Sequence, residues 1–233
     1  TLRPACHVRL MTPAYAEHAH AWRSAGHRVD PLDASGIHAA AADADVLVLI
    51  NPNNPTGLRF ARDQLLDWHT RLAARDGWLI VDEAFMDTTP DQGLAPDCPR
   101  PGLFVLRSLG KFFGLAGTRV GFVLGDPVVL ERLAERLGPW AVNGPGRWVA
   151  REALGDTRWQ ATTRASLGKA GDRLRAMLDH HGLLPDGGTA LFQWVKTPAS
   201  ARIHEHLARQ GVLVRLFETP DELESSDEAA NAS

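Results

Sequence analysis

Lysine is scarce in this chain, which limits where the chemistry of a side-chain amine can occur. Lysine and arginine together number 25, and only three of these residues are lysines: Lys111, Lys169 and Lys196. A lysine amine can form a Schiff base with an aldehyde when its pKa is lowered enough to free the amine. Ser108 and Arg119 flank Lys111, and a hydroxyl with a guanidinium is suited to binding a phosphate.

An amide and a carboxylate stand at the ends of two apolar stretches. Asn54 belongs to the Asn- and Pro-rich segment 51–57, which directly follows Val46–Ile50, and Asp82 directly follows Trp78–Val81. A carboxylate can keep a pyridine nitrogen protonated, and an amide can donate a hydrogen bond to a ring oxygen. Taken alone, the segment 51–57 is more typical of a plain turn. Its meaning depends on whether it meets the other residues in space.

The apolar stretches predict strands of a parallel sheet. Val46–Ile50 and Trp78–Val81 are continuous apolar runs, as in strands buried on both faces, and Arg62–Arg75 between them has helical spacing. Strand, helix and strand in this order predict a right-handed parallel unit, and Leu103–Arg107 predicts the next strand. The carboxyl ends of parallel strands share one edge, where ligands bind. We therefore expect the amide, the carboxylate and the lysine to converge at that edge.

Together these residue types suit pyridoxal phosphate (PLP). A lysine amine can hold the cofactor aldehyde, and a carboxylate can face the pyridine nitrogen, which makes the ring an electron sink. An amide can donate to the ring oxygen O3′, and a hydroxyl and a guanidinium can bind the phosphate. The sequence therefore predicts a PLP site that is formed by Asn54, Asp82, Ser108, Lys111 and Arg119.

The remaining periodicity predicts two domains, with a boundary near residue 156. Residues 1–155 would form a large PLP-binding domain, and residues 156–233 a small C-terminal domain. Further elements of the large domain are expected at Tyr15–Ala25 (helix), just after Gly26 (short strand), Arg119–Leu124 (strand) and Pro127–Leu137 (helix). A long helical stretch from Gly144 towards Leu178, interrupted near Gly155, is expected to cross the boundary. The small domain is expected to contain a strand, a helix and a strand at Ala190–Val195, Ala199–Gln210 and Val212–Phe217. Six tryptophans are expected in the core or between domains: Trp22, Trp68, Trp140, Trp148, Trp159 and Trp194.

Three motifs in this order resemble the fold-type I PLP enzymes of the aspartate aminotransferase superfamily. They are Asn-Pro-Asn-Asn-Pro-Thr-Gly at 51–57, Asp-Glu-Ala-Phe at 82–85, and Ser-x-x-Lys at 108–111 with an arginine eight residues on. The resemblance covers roughly residues 10–217. It implies an α/β fold, with a large domain built on a mostly parallel sheet between helices and a small C-terminal α+β domain. It also implies a homodimer in the full-length protein.

The resemblance also implies a role for each matching residue. Lys111 would carry the cofactor, Asp82 would face the pyridine nitrogen and Asn54 would donate to O3′. Ser108 and Arg119 would bind the cofactor phosphate. The aromatic residue after Pro13-Ala14 matches the one that stacks on the cofactor ring. Tyr15 could equally be a core aromatic residue at the start of a helix.

Phe85 departs from many aminotransferases, which have tyrosine at this position as a second donor to O3′. The longer segments 81–87, 106–117 and 138–142 look like those of threonine-phosphate decarboxylases of cobalamin biosynthesis, which are relatives of histidinol-phosphate aminotransferases. This implies conversion of L-threonine O-3-phosphate to (R)-1-amino-2-propanol O-2-phosphate and carbon dioxide. Two alternatives stay open: an aminotransferase of the histidinol-phosphate type, and an inactive fragment or dimer partner.

Composition excludes several other classes of function. Apolar residues make up 44% and charged residues 23%, and the net charge of −3 gives no basic surface for nucleic acid or an anionic membrane. No apolar run is long enough to cross a membrane. Cys6 and Cys98 are not spaced like metal ligands, and histidine pairs two residues apart point in different directions on a helix. We therefore predict a cytoplasmic protein with no metal site.

The two ends suggest that the sequence is truncated. The chain starts at Thr1, and it ends in an acidic segment rich in small residues, 222–233, that resembles neither a strand nor a capped helix. Family members carry a Gly-rich phosphate-binding turn before this region and an arginine for the substrate carboxylate after it. No arginine follows Arg215. We therefore expect impaired turnover by this chain as given.

Overall fold

A twisted sheet forms the centre of the protein. The computed structural model describes residues 2–217, in which six strands form one sheet in the order β2-β1-β3-β4-β5-β6. The strands are β1 (His7–Met11), β2 (Arg28–Leu32), β3 (Val46–Ile50), β4 (Trp78–Asp82), β5 (Leu103–Ser108) and β6 (Gly121–Leu124). Neighbouring strands from β2 to β5 are parallel, and β6 is antiparallel to β5. The predicted mostly parallel sheet is confirmed.

The helices agree closely with the periodicity of the sequence. They are α1 (Ala16–Ser24), α2 (Ile37–Asp43), α3 (Arg62–Ala73), α4 (Pro127–Leu137), α5 (Gly144–Gly155) and α6 (Thr157–His180), followed later by α7 (Ser200–Arg209). Short polar side chains start three of them, because Asp126, Asn143 and Asp156 each accept a hydrogen bond from an N–H in the first turn. Asp156 thus separates α5 from α6, which accounts for the predicted interruption.

The core lies on both faces of the central strand β3. All five residues of β3 are buried, and alternate side chains point to opposite faces. Leu47 and Leu49 pack in one apolar cluster with Leu65 and Leu72 of α3. Val46 and Val48 pack in a second cluster, which includes Trp22 of α1. The apolar run is therefore continuous because helices cover the sheet on both sides.

Strand register brings the ends of β3, β4 and β5 to the same level. Ile50, the last residue of β3, pairs with Asp82 of β4, and Asp82 pairs with Leu106 of β5. The loops after these strands carry Asn54, Asp82 itself and Lys111. The expected shared edge is therefore present in the structure.

The C-terminal part differs from its prediction. Gly187–Thr189 (β7) and Phe192–Trp194 (β8) form a two-stranded antiparallel hairpin. Gly187 and Gly188 therefore belong to a strand, and the strand predicted at Ala190–Val195 is limited to Phe192–Trp194. The strand expected at Val212–Phe217 is wrong, since this segment has no regular structure and Leu213 is 85% exposed. Its apolar residues give a strand pattern, but a strand also requires a partner, and within residues 2–217 nothing pairs with it. The acidic segment 222–233 lies outside the described residues.

Two other expectations need correction. Trp22 and Trp68 are buried, but Trp140 is 92% exposed and Trp148 is 63% exposed, so apolar character alone misplaced them. The strand expected from Arg119 begins at Gly121, because Arg119 has a left-handed backbone conformation with φ of 54°. No helix within residues 2–217 is long and apolar enough to cross a membrane.

Candidate active site

A cavity of about 370 Å³ opens at the carboxyl edge of the sheet. Side chains from five separate loops and strand ends line it, although more than one hundred residues of sequence separate the first from the last. Its lining includes Tyr15, Asn54, Asp82, Phe85, Ser108, Lys111 and Arg119. The structure thus brings together all six residues that the sequence predicted for a cofactor site. Their roles are not tested by this geometry and stay proposals.

Asp82 is held firmly in place within this cavity. Its Oδ1 accepts a hydrogen bond from the Ala84 N–H at 2.9 Å, and its Oδ2 lies 2.7 Å from Nε2 of His18. Only 15% of the Asp82 side chain is exposed. Both carboxylate oxygens therefore have fixed partners, and the carboxylate has one orientation to present to a ligand.

Sequence reasoning missed His18. His18 and His20 form one of the histidine pairs whose spacing argues against a shared metal ion, and the spacing suggests no other role for His18. Tyr15 directly precedes α1 and His18 lies in its first turn, and their ring centroids are 6.0 Å apart. The spacing Tyr-x-x-His at a helix start was the available signal. This spacing does not indicate that His18 contacts Asp82, which lies 64 residues further along the chain.

Lys111 forms no ion pair with a described carboxylate. Its Nζ lies 5.4 Å from the centroid of the Phe85 ring, and no carboxylate pairs with it among residues 2–217. Phe85 lines the cavity at the position where many aminotransferases have tyrosine. Lys169 and Lys196 lie in α6 and after β8, and neither lines the cavity. Lys111 is thus the lysine whose amine faces the other predicted site residues.

Arg119 and Ser108 form the cationic end of the cavity. Ser108 Oγ accepts a hydrogen bond from the Gly110 N–H at 3.0 Å, and its own hydrogen remains available as a donor. The Arg119 guanidinium makes one long contact, 3.5 Å to the Ala116 carbonyl, and has no carboxylate partner in the part of the chain that the structure describes. An unpaired guanidinium beside a hydroxyl fits a phosphate group.

The three asparagines of segment 51–57 have different tasks. Asn51 exchanges two hydrogen bonds with the backbone of Phe60, at 2.9 and 3.3 Å, and is buried. Asn53 is fully buried and donates to Thr56 Oγ1 at 2.9 Å. Asn54 faces the cavity, and its amide has no hydrogen-bond partner within residues 2–217. Two asparagines therefore hold the loop in shape, and the third is left available to a ligand.

Tyr15 also faces the cavity and is not a core residue. It directly precedes α1, and 39% of it is exposed. Of the two interpretations that the sequence left open, the structure excludes the buried core aromatic. The ring is accessible to a flat ligand in the cavity.

A buried charged cluster adjoins the cavity through Arg107, which is one of its lining residues. Glu83 has no exposed surface; its Oε1 accepts a hydrogen bond from the Leu94 N–H at 2.6 Å, and its Oε2 pairs with Arg107 at 3.2 Å. Arg107 also pairs with Asp87. Burial raises the pKa of both carboxyl groups above its ordinary value, and Arg107 opposes this effect. The cluster fixes Arg107, the residue next to Ser108, at the end of β5.

The donor set fits PLP and gives no sign of a metal. A free amine, a fixed carboxylate, an unpartnered amide and an unpaired guanidinium match the aldehyde, pyridine nitrogen, ring oxygen and phosphate of the cofactor. Among the described residues, no group of three or more His, Cys, Asp or Glu side chains could hold a metal ion.

Solved structures similar to this chain define its fold. Histidinol-phosphate aminotransferase from Sinorhizobium meliloti, solved with pyridoxal-5′-phosphate, matches with a TM-score of 0.80 at 20% identity, over 94% of this chain and 64% of that one. L-threonine-O-3-phosphate decarboxylase from Porphyromonas gingivalis matches with a TM-score of 0.76 at 18% identity, over 98% and 77%. At these identities the likeness concerns the fold, which is that of the fold-type I PLP enzymes.

The family follows from the sequence comparison. The family model for aminotransferase class I and II matches residues 1–226, and the chain belongs to this family, whose enzymes use PLP. Threonine-phosphate decarboxylase from Pseudomonas aeruginosa is 52% identical over 226 residues, which are 96% of this chain and 68% of that protein. The protein of the same name from Sinorhizobium sp. is 40% identical over 91% of this chain and 63% of its own length. The chain thus spans about two thirds of the length of these relatives.

We expect His18→Leu to weaken PLP binding about five- to thirtyfold. The variant removes the hydrogen bond that orients Asp82, and a hydrogen bond to a charged group contributes about 1.5–3 kcal/mol when buried and less at a partly exposed site. The dissociation constant can be measured by titrating the purified protein with PLP and following absorbance. His20→Leu is the matched control, since His20 is an exposed residue of the same helix. Equal affinities of the two variants would contradict the role of His18.

A second prediction concerns Glu83, whose pKa burial raises. The folded protein then binds the proton more tightly than the unfolded chain. The contribution of Glu83 to the free energy of unfolding is therefore fully present when the pH is below the ordinary carboxyl pKa. It is lost as the pH rises through the raised pKa that Glu83 has in the folded protein. Glutamine is neutral at every pH, so the free energy of unfolding of Glu83→Gln should increase relative to the parent between about pH 4 and about pH 7.

Urea denaturation at both pH values measures this difference. Glu205→Gln is the control, because Glu205 is an exposed carboxylate paired with Arg209. A difference between parent and Glu83→Gln that is the same at both pH values would show that the Glu83 carboxyl is not perturbed by burial.

Proposed function

We propose that this chain binds PLP through Lys111 and belongs to an enzyme that decarboxylates L-threonine O-3-phosphate to (R)-1-amino-2-propanol O-2-phosphate. The observation that carries the proposal is that the Lys111 amine shares one cavity with the fixed Asp82 carboxylate and the unpaired Arg119 guanidinium. The 52% and 40% identity to threonine-phosphate decarboxylases supports the choice of substrate.

Each residue of the cavity has a proposed task. PLP, when bound, supplies an electron sink for a bond at the substrate α-carbon. Lys111 holds the cofactor through its amine, and Asp82, oriented by His18, keeps a proton on the pyridine nitrogen. Asn54 donates to the ring oxygen, and Tyr15 covers one face of the ring.

Other cavity residues are proposed to bind the cofactor phosphate and to supply a proton to the substrate. Ser108 and Arg119 bind the cofactor phosphate, which fixes the position of the ring relative to the substrate. The substrate's carboxyl group leaves as carbon dioxide, and a proton must take its place at the same carbon. Lys111 lines the cavity and would be the residue that delivers this proton from its amine.

An aminotransferase of the histidinol-phosphate type is the second candidate. It is supported by a histidinol-phosphate aminotransferase from Mycobacterium bovis, which is 42% identical over 139 residues, or 56% of this chain and 36% of that protein. Both reactions would use the same cavity residues. They differ in which bond of the α-carbon is broken, and this depends on how the substrate carboxylate and phosphate are held.

We extend the proposal to the setting of the enzyme. Its product would become the linker of the cobalamin nucleotide loop, and the full-length protein would be a cytoplasmic homodimer. A large domain at residues 1–155 and a small one at 156–233 are supported by the helix break at Asp156. The net charge of −3 argues against nucleic acid or an anionic membrane as a partner, and a small phosphorylated amino-acid substrate is proposed from the threonine-phosphate decarboxylase relatives.

The cofactor assignment predicts a visible absorption band. The chain mixed with PLP should absorb in the visible range, and Lys111→Ala should abolish the band because its amine forms the bond. Lys169→Ala and Lys196→Ala should retain the band, since neither residue lines the cavity. A band that survives Lys111→Ala would contradict the assignment.

The reaction assignment predicts release of carbon dioxide from threonine phosphate without a 2-oxo acid. The assay compares this release with amino transfer from histidinol phosphate to 2-oxoglutarate, with Lys111→Ala as the inactive control. Rapid amino transfer with no carbon dioxide would favour the aminotransferase. If the band forms but neither reaction occurs, the chain is a cofactor-binding fragment of the enzyme.

A further inference from the structure

The β7–β8 hairpin packs directly on the loop that carries Asn54. Gly57 has φ of 73°, and a Cβ atom placed on it would overlap the backbone of Gly188. A Cβ atom on Gly187 would likewise overlap the carbonyl of Thr56. Side chains at these positions would force the two segments apart. The hairpin, which follows α6 and is distant in sequence, is thus in backbone contact with the wall of the site.

A second contact joins the hairpin to the catalytic lysine through two aromatic rings. Phe192 of β8 meets Phe85 edge to face, with ring centroids 5.1 Å apart and planes inclined at 77°. The other partner of the Phe85 ring is Lys111, whose Nζ lies 5.4 Å from the ring centroid. Phe192, Phe85 and Lys111 therefore form one continuous series of contacts.

The Lys111 amine lies over the Phe85 ring, with Nζ 5.4 Å from the ring centroid. A cation is attracted to the face of an aromatic ring, and the direction of this attraction depends on the orientation of the ring. Lys111 has no competing carboxylate within residues 2–217, so no ion pair holds its amine elsewhere. Edge-to-face contact with a second ring restricts rotation of Phe85. The position of the amine thus depends on Phe85, and that of Phe85 on Phe192.

We propose that Phe192 is a positioning residue: it holds the Phe85 ring under the Lys111 amine and so aligns the amine for bonding to the cofactor. The inference rests on the proposed function, because it concerns the same lysine. Phe192 does not itself line the cofactor cavity, whereas Phe85 and Lys111 do. Its influence on the site would therefore pass through Phe85.

The rate at which the visible band develops after mixing with PLP measures this alignment. Phe192→Leu keeps an apolar side chain but removes the ring, and we expect the band to develop about three- to tenfold more slowly, because a misplaced amine reacts less often. Phe192→Tyr retains the aromatic edge and should restore the parental rate. Trp194→Leu is the matched control, since it removes an aromatic residue of the same strand that packs on Phe217 instead.

A double-variant cycle separates positioning from general damage to the hairpin. Phe85→Leu should slow the band as much as Phe192→Leu, and the variant carrying both should be no slower than Phe85→Leu alone. If the double variant is slowed by the product of the two single-variant factors, the two residues act independently and the inference is overturned. A parental rate of band development in Phe192→Leu would also overturn it. So would equal slowing in Phe192→Leu and Trp194→Leu. No band in the parent protein would instead overturn the proposed function and this inference with it.

Discussion

The site depends on the register of three parallel strands. Backbone hydrogen bonds pair Ile50 with Asp82 and Asp82 with Leu106, so β3, β4 and β5 end at one level. Because side chains alternate along a strand, a slip of one residue would turn Asp82 away from its present face and from His18. Burial of β3 on both faces fixes this register, since alternate residues must enter two separate apolar clusters. The arrangement of residues at the cavity is thus a consequence of core packing.

The basic side chains at the cavity fall into two groups. Arg107, which also lines the cavity, is shared by the buried carboxylates of Glu83 and Asp87. Lys111 and Arg119 have no carboxylate partner in the described part of the chain. Paired charges make a rigid support, whereas unpaired cations remain available to an anionic ligand. The cavity therefore offers an unpaired guanidinium to a phosphate, and an unpaired amine that can bond to an aldehyde in its neutral form.

The central sheet and most of the site could be predicted because their signals are local. Apolar runs identify β3 and β4, and the alternation of strands and helices then brings Asn54, Asp82 and Lys111 to one edge. His18 and Phe192 were not predicted, because each matters only through a partner far away in sequence. The apolar segment 212–217 failed for the same reason, since a strand requires a partner as well as a pattern.

Reduction of the cofactor-loaded protein with borohydride, followed by mass spectrometry of its peptides, tests the central claim most directly. Reduction makes the bond between the lysine and PLP permanent, so the modified residue can be read from the peptide. Modification of the peptide containing Lys111, and of no peptide containing Lys169 or Lys196, is the predicted result. A label on either of those lysines, or no label after loading with PLP, would contradict the assignment of the site.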